Sequence, residues 1–173
     1  MRSMDMNLQQ LDPQSAIRGE QYLTFQLADE EYGVHILRVQ EIRGWERVTR
    51  IPNSPEYVLG AVNLRGSIVP IFDLRMRFSL LRQDYGKDTV VIVLRANKRD
   101  GGVRSIGVVV DGVSDVLNAT AADISATPEF GARVAIDWIS GLASSNGKMI
   151  MLLDVDRLFE EDERASGEQE ILF

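Results

Sequence analysis

Few side chains in this sequence can do covalent or acid–base chemistry. There is one histidine, His35, and no cysteine, so thiolate catalysis, disulfides and Cys-ligated metals are excluded together. His35 sits in the strand-like run Gly33-Val34-His35-Ile36 and reads as a structural position. One histidine leaves carboxylates alone to hold a metal. Asp154-Val155-Asp156 lacks the spaced oxygen ligands and glycine of a calcium loop. GLASSNGKM (141–149) has the outline of a phosphate-binding loop, but five residues separate its glycines and Met149 stands where Ser or Thr would hold magnesium. No G-x-S-x-G elbow or dinucleotide fingerprint is present. Asn118-Ala119-Thr120 matches a glycosylation sequon but reads as a surface turn, and Asp29-Glu30-Glu31 reads as a solvated hairpin. No catalytic constellation, cofactor or metal site is expected. What remains is binding, and two charges stand out: Glu41 in VQEIRG and Arg65 in NLRGSIVPIFD. Arginine is rarely buried unless paired. Glu41 and Arg65 are either a charge-assisted pair or two independent surface charges.

The elements that must carry these residues are short and β-branched. YLTFQL (22–27), the return strand after DEEYG, VNLRG, SIVPIFD (67–73), DTVVIVLRA (88–96), VRSIGVVVDGV (103–113) and MIMLLD (149–154) read as strands. Their spacing, with Gly, Asn and Asp between them, indicates small barrels or a sandwich. ANKRDGG (96–102) reads as a hairpin loop. Helical turns are expected near Pro55–Leu59, near Leu74–Phe78, and at Asp154–Glu161 with Asp154 as cap. Residues 1–19 and the acidic stretch 161–173, which ends in Ile-Leu-Phe, read as mobile tails. The composition is 45% apolar and 26% charged, with 19 Lys and Arg against 26 Asp and Glu, a net charge of -7. That balance argues against nucleic acid and anionic membrane surfaces. No apolar run has signal-peptide or transmembrane character, so a soluble, cytoplasmic protein is expected.

The chain repeats itself. Gly33-Val34-His35-Ile36, Val39, Glu41 and Ile42 match Gly107-Val108-Val109-Val110, Val113, Asp115 and Val116 at a constant offset of 74. Glu56-Tyr57-Val58-Leu59-Gly60 matches Asp137-Trp138-Ile139-Ser140-Gly141 at an offset of 81, which also relates Gly66 to Gly147, Asp73 to Asp154 and Phe78 to Phe159. Two copies are too few for a solenoid, and two similar barrels packed together fit better. Asp73 and Asp154 agree, which suggests shared structural work such as capping. His35 falls on Val109 and Arg65 falls on Asn146, so the architecture alone requires neither.

VQEI (39–42), TRIPNSPEYVLGAVNLRGSIVPIFDLR (49–75) and GVVVDGVSDV (107–116) resemble the CheW coupling-protein family of bacterial chemotaxis, over about residues 21–159. The resemblance implies a mainly β fold: two five-stranded SH3-like barrels on a shared core, with few short helices. The barrels are expected over about 20–85 and 86–160, with room for exchange of edge strands. It implies a non-enzymatic adaptor, without cofactor, that binds the cytoplasmic tip of chemoreceptors and the regulatory domain of the histidine kinase CheA. Such a protein reaches membrane arrays through receptors and lets receptor state control autophosphorylation. The family's alternative setting is a non-flagellar chemosensory pathway. Carried over by motif, Val39, Glu41, Ile42 and Arg65 fall on the receptor side. Gly60, Glu129 and Phe130 fall on the kinase or ring side, with Phe130 either a ring anchor or folded back on its own barrel. Asp73, Gly107 and Gly141 are structural or sensitive. The long ANKRDGG loop and the tail ending in Ile-Leu-Phe depart from the family pattern. A double barrel with a small-molecule or enzyme role is the competing class, and no acid–base or metal set supports it.

Overall fold

Two related halves can pair their strands within each half or across halves, and this chain does the second. The computed structural model describes residues 19–81, 83–126 and 138–160. The expected tails, Gly19 apart, and Glu129 and Phe130 lie outside the described residues. Five strands, β3 (Val39–Gly44), β4 (Val58–Leu64), β5 (Ser67–Asp73), β6 (Val90–Asn97) and β7 (Val103–Val110), form one sheet in the order β3-β6-β7-β5-β4. The second sheet is β8-β1-β2-β11-β10-β9, built from β1 (Glu20–Leu27), β2 (Glu30–His35), β8 (Gly112–Ala119), β9 (Ile124–Ser125), β10 (Ile139–Ser145) and β11 (Lys148–Leu153). Short helices follow β5, as α1 (Leu74–Arg77), and β11, as α2 over residues 155–160.

The expected barrel spans, about 20–85 and 86–160, are therefore corrected. One barrel is built from β3–β7, within residues 39–110, and the other joins the β1–β2 hairpin to β8, β9, β10 and β11. Each repeat lends its first hairpin to the other's barrel. The seams show it: β5 pairs with β7 in parallel with Ile71 opposite Gly107, and β11 pairs with β2 in parallel with Leu152 opposite Gly33. These are equivalent positions at the repeat offsets. The single strand expected over 103–113 is split at Asp111, where the chain passes from one sheet to the other. The helical turn expected near Pro55–Leu59 is a short turn before β4 begins at Val58.

Both sheets close on themselves by one device. Beyond β3 the chain reaches across to β4, where Ala61 N–H donates to Thr49 O at 2.8 Å and Thr49 N–H to Ala61 O at 3.2 Å. Beyond β8 the chain enters β9, which pairs with β10 at Leu142 and Ala143. Register shifts fall at matching places, between Val58 and Gly60 and between Ile139 and Gly141. The glycines there permit the close approach. Gly60 has φ +154° and a Cβ on it would lie 2.1 Å from Thr49 O. A Cβ on Gly141 would lie 2.9 Å from Ile124 Cγ2. Gly107 is constrained from inside, where an added Cβ would lie 2.5 Å from Ile71 Cδ1.

Alternation along β6 and β7 then feeds two cores at once. Val91, Val93 and Val109 point into the five-stranded barrel with Val69 and Ile71. Ile92, Leu94, Ile106, Val108 and Val110 join Phe25, Leu27, Val34, Phe72 and Phe159 in a core shared by both barrels. The helices are capped as the repeat suggests: Met76 N–H donates to Asp73 Oδ1 at 3.2 Å, and Arg157 N–H to Asp154 Oδ1 at 3.1 Å. Asp73 is buried and also accepts from the Tyr85 hydroxyl. Each helix carries its phenylalanine to the other barrel's elements. Phe78 stacks on Trp138 at 4.2 Å, and Phe159 meets Phe72 edge-on at 5.4 Å.

The two crossings between sheets are held by bidentate ion pairs of opposite polarity. Arg75 on α1 grips Asp111 through Nε at 2.8 Å and Nη2 at 2.6 Å. Asp156, at the position equivalent to Arg75, accepts from Arg38 Nη1 at 2.7 Å and Nη2 at 2.8 Å, just after β2. Each carboxylate also accepts a backbone N–H from the exchanged hairpin, from Ala28 at 2.8 Å and Asn97 at 2.7 Å respectively. Partial burial pushes the Asp156 pKa up, but hydrogen bonds from Arg38 and Asn97 N–H, with the Arg38 charge, outweigh it and hold it below the usual carboxylate value. A depressed pKa contributes stability that is complete above the unfolded value, about 3.9, and is lost as pH falls through the folded value. Asp156→Asn is expected to lower the melting temperature at pH 7 by about 2–5 °C, allowing for solvent screening. The gap to wild type should narrow as pH falls below about 4, and thermal melts from pH 7 to pH 3 check it. A gap that stays constant means the Asp156 charge does not hold the crossing.

Candidate protein-binding site

Arg65 occupies the first central position of the two-residue turn between β4 and β5. Arg65 has φ +50° and Gly66 φ +87°, and the matching turn between β10 and β11 has Asn146 at +52° and Gly147 at +77°. Both are hairpin turns of the primed type, which favour Asn-Gly because the first residue must take a left-handed conformation. The second repeat carries that sequence and the first carries Arg-Gly. A left-handed arginine costs on the order of 1 kcal/mol relative to a residue that tolerates the conformation. Asn63 supports the turn by accepting the Gly66 N–H at 2.9 Å. This is the structural reason Arg65 can sit between a leucine and a glycine before a buried strand: its side chain leaves the fold and is 74% exposed.

The arginine reaches across the closing seam of the barrel. Arg65 Nη1 donates to Glu41 Oε1 at 2.7 Å, joining the β4–β5 turn to β3 at the opposite edge of the sheet. The two charges are a pair. Arg43 Nε lies 3.9 Å from the other carboxylate oxygen, so Glu41 is shared between two guanidiniums. Next to it on β3, Ile42 is 45% exposed, and Ile68 beside the turn is 58% exposed. Val39 is half-buried and packs on the shared core. Of the four expected receptor-side residues, then, Glu41 and Arg65 touch, Ile42 is open to a partner and Val39 is mostly committed to the interior. Ile68 and Arg43 were not singled out by sequence reasoning. Period-two alternation gives no sign that an isoleucine beside a turn is left uncovered.

Gly60, placed by sequence among contact positions, is buried and has no side chain to present. Its constraint is barrel closure. His35 caps the turn that follows β2: its Nδ1 accepts the Leu37 N–H at 3.2 Å while Nε2 meets Glu20 at 2.8 Å. Among the described residues no group of three or more His, Asp or Glu could hold a metal ion, and no helix is long and apolar enough to cross a membrane.

A family model for the CheW-like domain matches residues 21–163. The chain belongs to the CheW-like family. It is 47% identical to the chemotaxis protein CheW of Klebsiella aerogenes over 147 residues, 85% of this chain and 86% of that protein. Identity to the chemotaxis protein CheW of Rhizobium meliloti is 35% over 149 residues, covering 86% of this chain and 93% of that one. The crystal structure of the scaffolding protein TtCheW from Thermoanaerobacter tengcongensis superposes with a TM-score of 0.72 at 30% identity, covering 82% of this chain and 93% of the other. The fold is that of the CheW-like family, whose members are scaffolds rather than enzymes. The primed turn and its ion pair generate a prediction. Arg65→Asn loses an exposed pair worth about 0–1 kcal/mol and gains a better turn residue, so its melting temperature should lie within about 2 °C of wild type. Arg65→Ala loses the pair without gaining a better turn residue and should melt lower. A large drop for Arg65→Asn in thermal melts means the arginine is needed for folding.

Proposed function

We propose that the protein is a chemotaxis adaptor that couples chemoreceptors to the histidine kinase CheA, so that receptor state controls autophosphorylation. One observation carries the reading: a family member keeps an exposed arginine at a strained turn position that its own second repeat fills with asparagine. A residue that costs the fold something and is paired at the surface is best explained by a partner. The receptor tip is a helical hairpin in this reading, and it docks along the seam by its side chains. Ile42 and Ile68 supply apolar contact, and Arg65, held in place by Glu41, fixes register. The kinase regulatory domain takes a separate surface. The relatives named as chemotaxis proteins and as a scaffold support the same role.

An adaptor does no chemistry of its own. It transmits state only if it binds the two receptor states with different affinity, or holds receptor and kinase in a geometry that one state disrupts. A shared core and two clamped crossings suit that task, because they keep the two barrels in fixed relation. Titration calorimetry with a soluble chemoreceptor cytoplasmic fragment, and separately with the CheA regulatory domain, tests the proposal. The wild type should bind both. Arg65→Asn should weaken receptor binding by at least about tenfold, as loss of an interface arginine does, and leave kinase-domain binding within about threefold. Binding of the wild type to neither partner sinks the proposal.

A further inference from the structure

The repeat places a second copy of the Arg65–Glu41 seam on the six-stranded barrel, and there an asparagine, Asn146, stands in place of the arginine. Gln40, Glu41 and Ile42 correspond to Ser114, Asp115 and Val116 at offset 74, and Arg65 and Ser67 to Asn146 and Lys148 at offset 81. In the five-stranded barrel this seam is filled. Ser105 Oγ donates to Gln40 Oε1 at 2.7 Å, beside the Arg65–Glu41 pair. The first of these contacts recurs in the other barrel between equivalent positions, with Ser114 Oγ donating to Glu31 Oε1 at 2.9 Å. At the ion-pair positions the side chains are shorter, Asp for Glu and Asn for Arg, while Lys148 stands where the first seam has Ser67. The seam is left as an open cleft of about 310 Å³, lined by Thr24 and Ile150 among others, with Glu31, Asp115 and Lys148 as its charged residues and Asn146 among its polar ones.

Its chemistry indicates what it would take. Two carboxylates face one ammonium, which disfavours an anion. The Asp115 carboxylate is oriented by the Val116 N–H, which donates to its Oδ1 at 2.7 Å. Val116, 46% exposed, lines the cleft, and Met149, 60% exposed, follows Lys148 on β11. A carboxylate beside apolar surface suits a flat guanidinium better than a compact, strongly hydrated ammonium. The sister seam holds that arrangement with the chain's own Arg65.

We propose that this cleft receives an arginine side chain from a partner protein, seated against Asp115 as Arg65 is seated against Glu41. The inference stands on the repeat and the cleft, and goes beyond the adaptor reading. It gives the protein a cation-reading seam at the place equivalent to the Arg65–Glu41 pair, open where the first is closed.

Amide NMR of the isotope-labelled full chain, titrated with N-acetyl-arginine amide, tests it. Saturating shifts should be confined to residues 114–117 and 145–148. Asp115→Asn should weaken them by up to about fivefold, the upper value of an exposed ion pair. Asn146→Arg should abolish them, because the cleft then holds its own arginine, and the Arg65 turn shows that the fold accepts one there. Shifts spread over other acidic positions, shifts that survive Asp115→Asn, or equal shifts with N-acetyl-lysine amide would overturn the proposal. So would inorganic phosphate producing the same shifts, since that places an anion at Lys148.

Discussion

Everything in this fold depends on the chain crossing between two barrels twice without either barrel losing closure. Each barrel is completed by a hairpin from the other repeat, so neither half of the sequence can bury its own strands. The crossings after β2 and at Asp111 are therefore the points at which the structure could come apart, and both are held by a bidentate arginine–carboxylate pair. That the polarity is reversed, Arg75 standing where the other repeat has Asp156, shows what is being preserved. The geometry of a forked, planar pair matters, and which side carries the charge does not.

The same pseudo-symmetry separates what the fold needs from what it merely tolerates. Glycines at 60 and 141, the caps Asp73 and Asp154, and the exchanged phenylalanines 78 and 159 recur because closure, helix starts and the shared core recur. The two primed turns diverge. Asn146-Gly147 is what the backbone prefers, and Arg65-Gly66 is what a contact surface would select. Opposite Arg65 and Asn146 the strands diverge in step, Glu41 in one barrel and Asp115 in the other. One seam is closed by an ion pair and the other is left as a cleft. For an adaptor, two unequal copies of one surface are a way to meet two different partners with a single fold.

Much of this was legible before any coordinates. The strands from Ser67 to Asp73 and around 22–27 follow from alternation and β-branching, and the caps follow from matching aspartates. The repeat offsets predict two barrels. Exchange at the barrel edges was allowed for, but its form as a whole hairpin was not legible, because VRSIGVVVDGV reads as one apolar run and nothing local marks Asp111 as the point where it changes sheets. β3 was obscured by charges on an exposed edge strand, and the closure role of Gly60 was not read because a glycine's reason lies in the atom it lets approach, here Thr49 O. The Glu41–Arg65 pair was left open by sequence because it joins opposite edges of a sheet, and only closure brings them together. The left-handed conformation of Arg65 was the missing clue, although its alignment with an Asn-Gly pair contained it.

In the proposed role, Arg65 is kept for a partner within a receptor–kinase complex. Its most direct test is kinase autophosphorylation, reconstituted from chemoreceptor-bearing membranes and CheA, with wild-type protein or the Arg65→Asn variant. Strong stimulation by the wild type is expected, with loss of most of it with the variant at matched thermal stability. Equal stimulation by the variant would contradict the role given to Arg65. No stimulation by the wild type would contradict the adaptor itself.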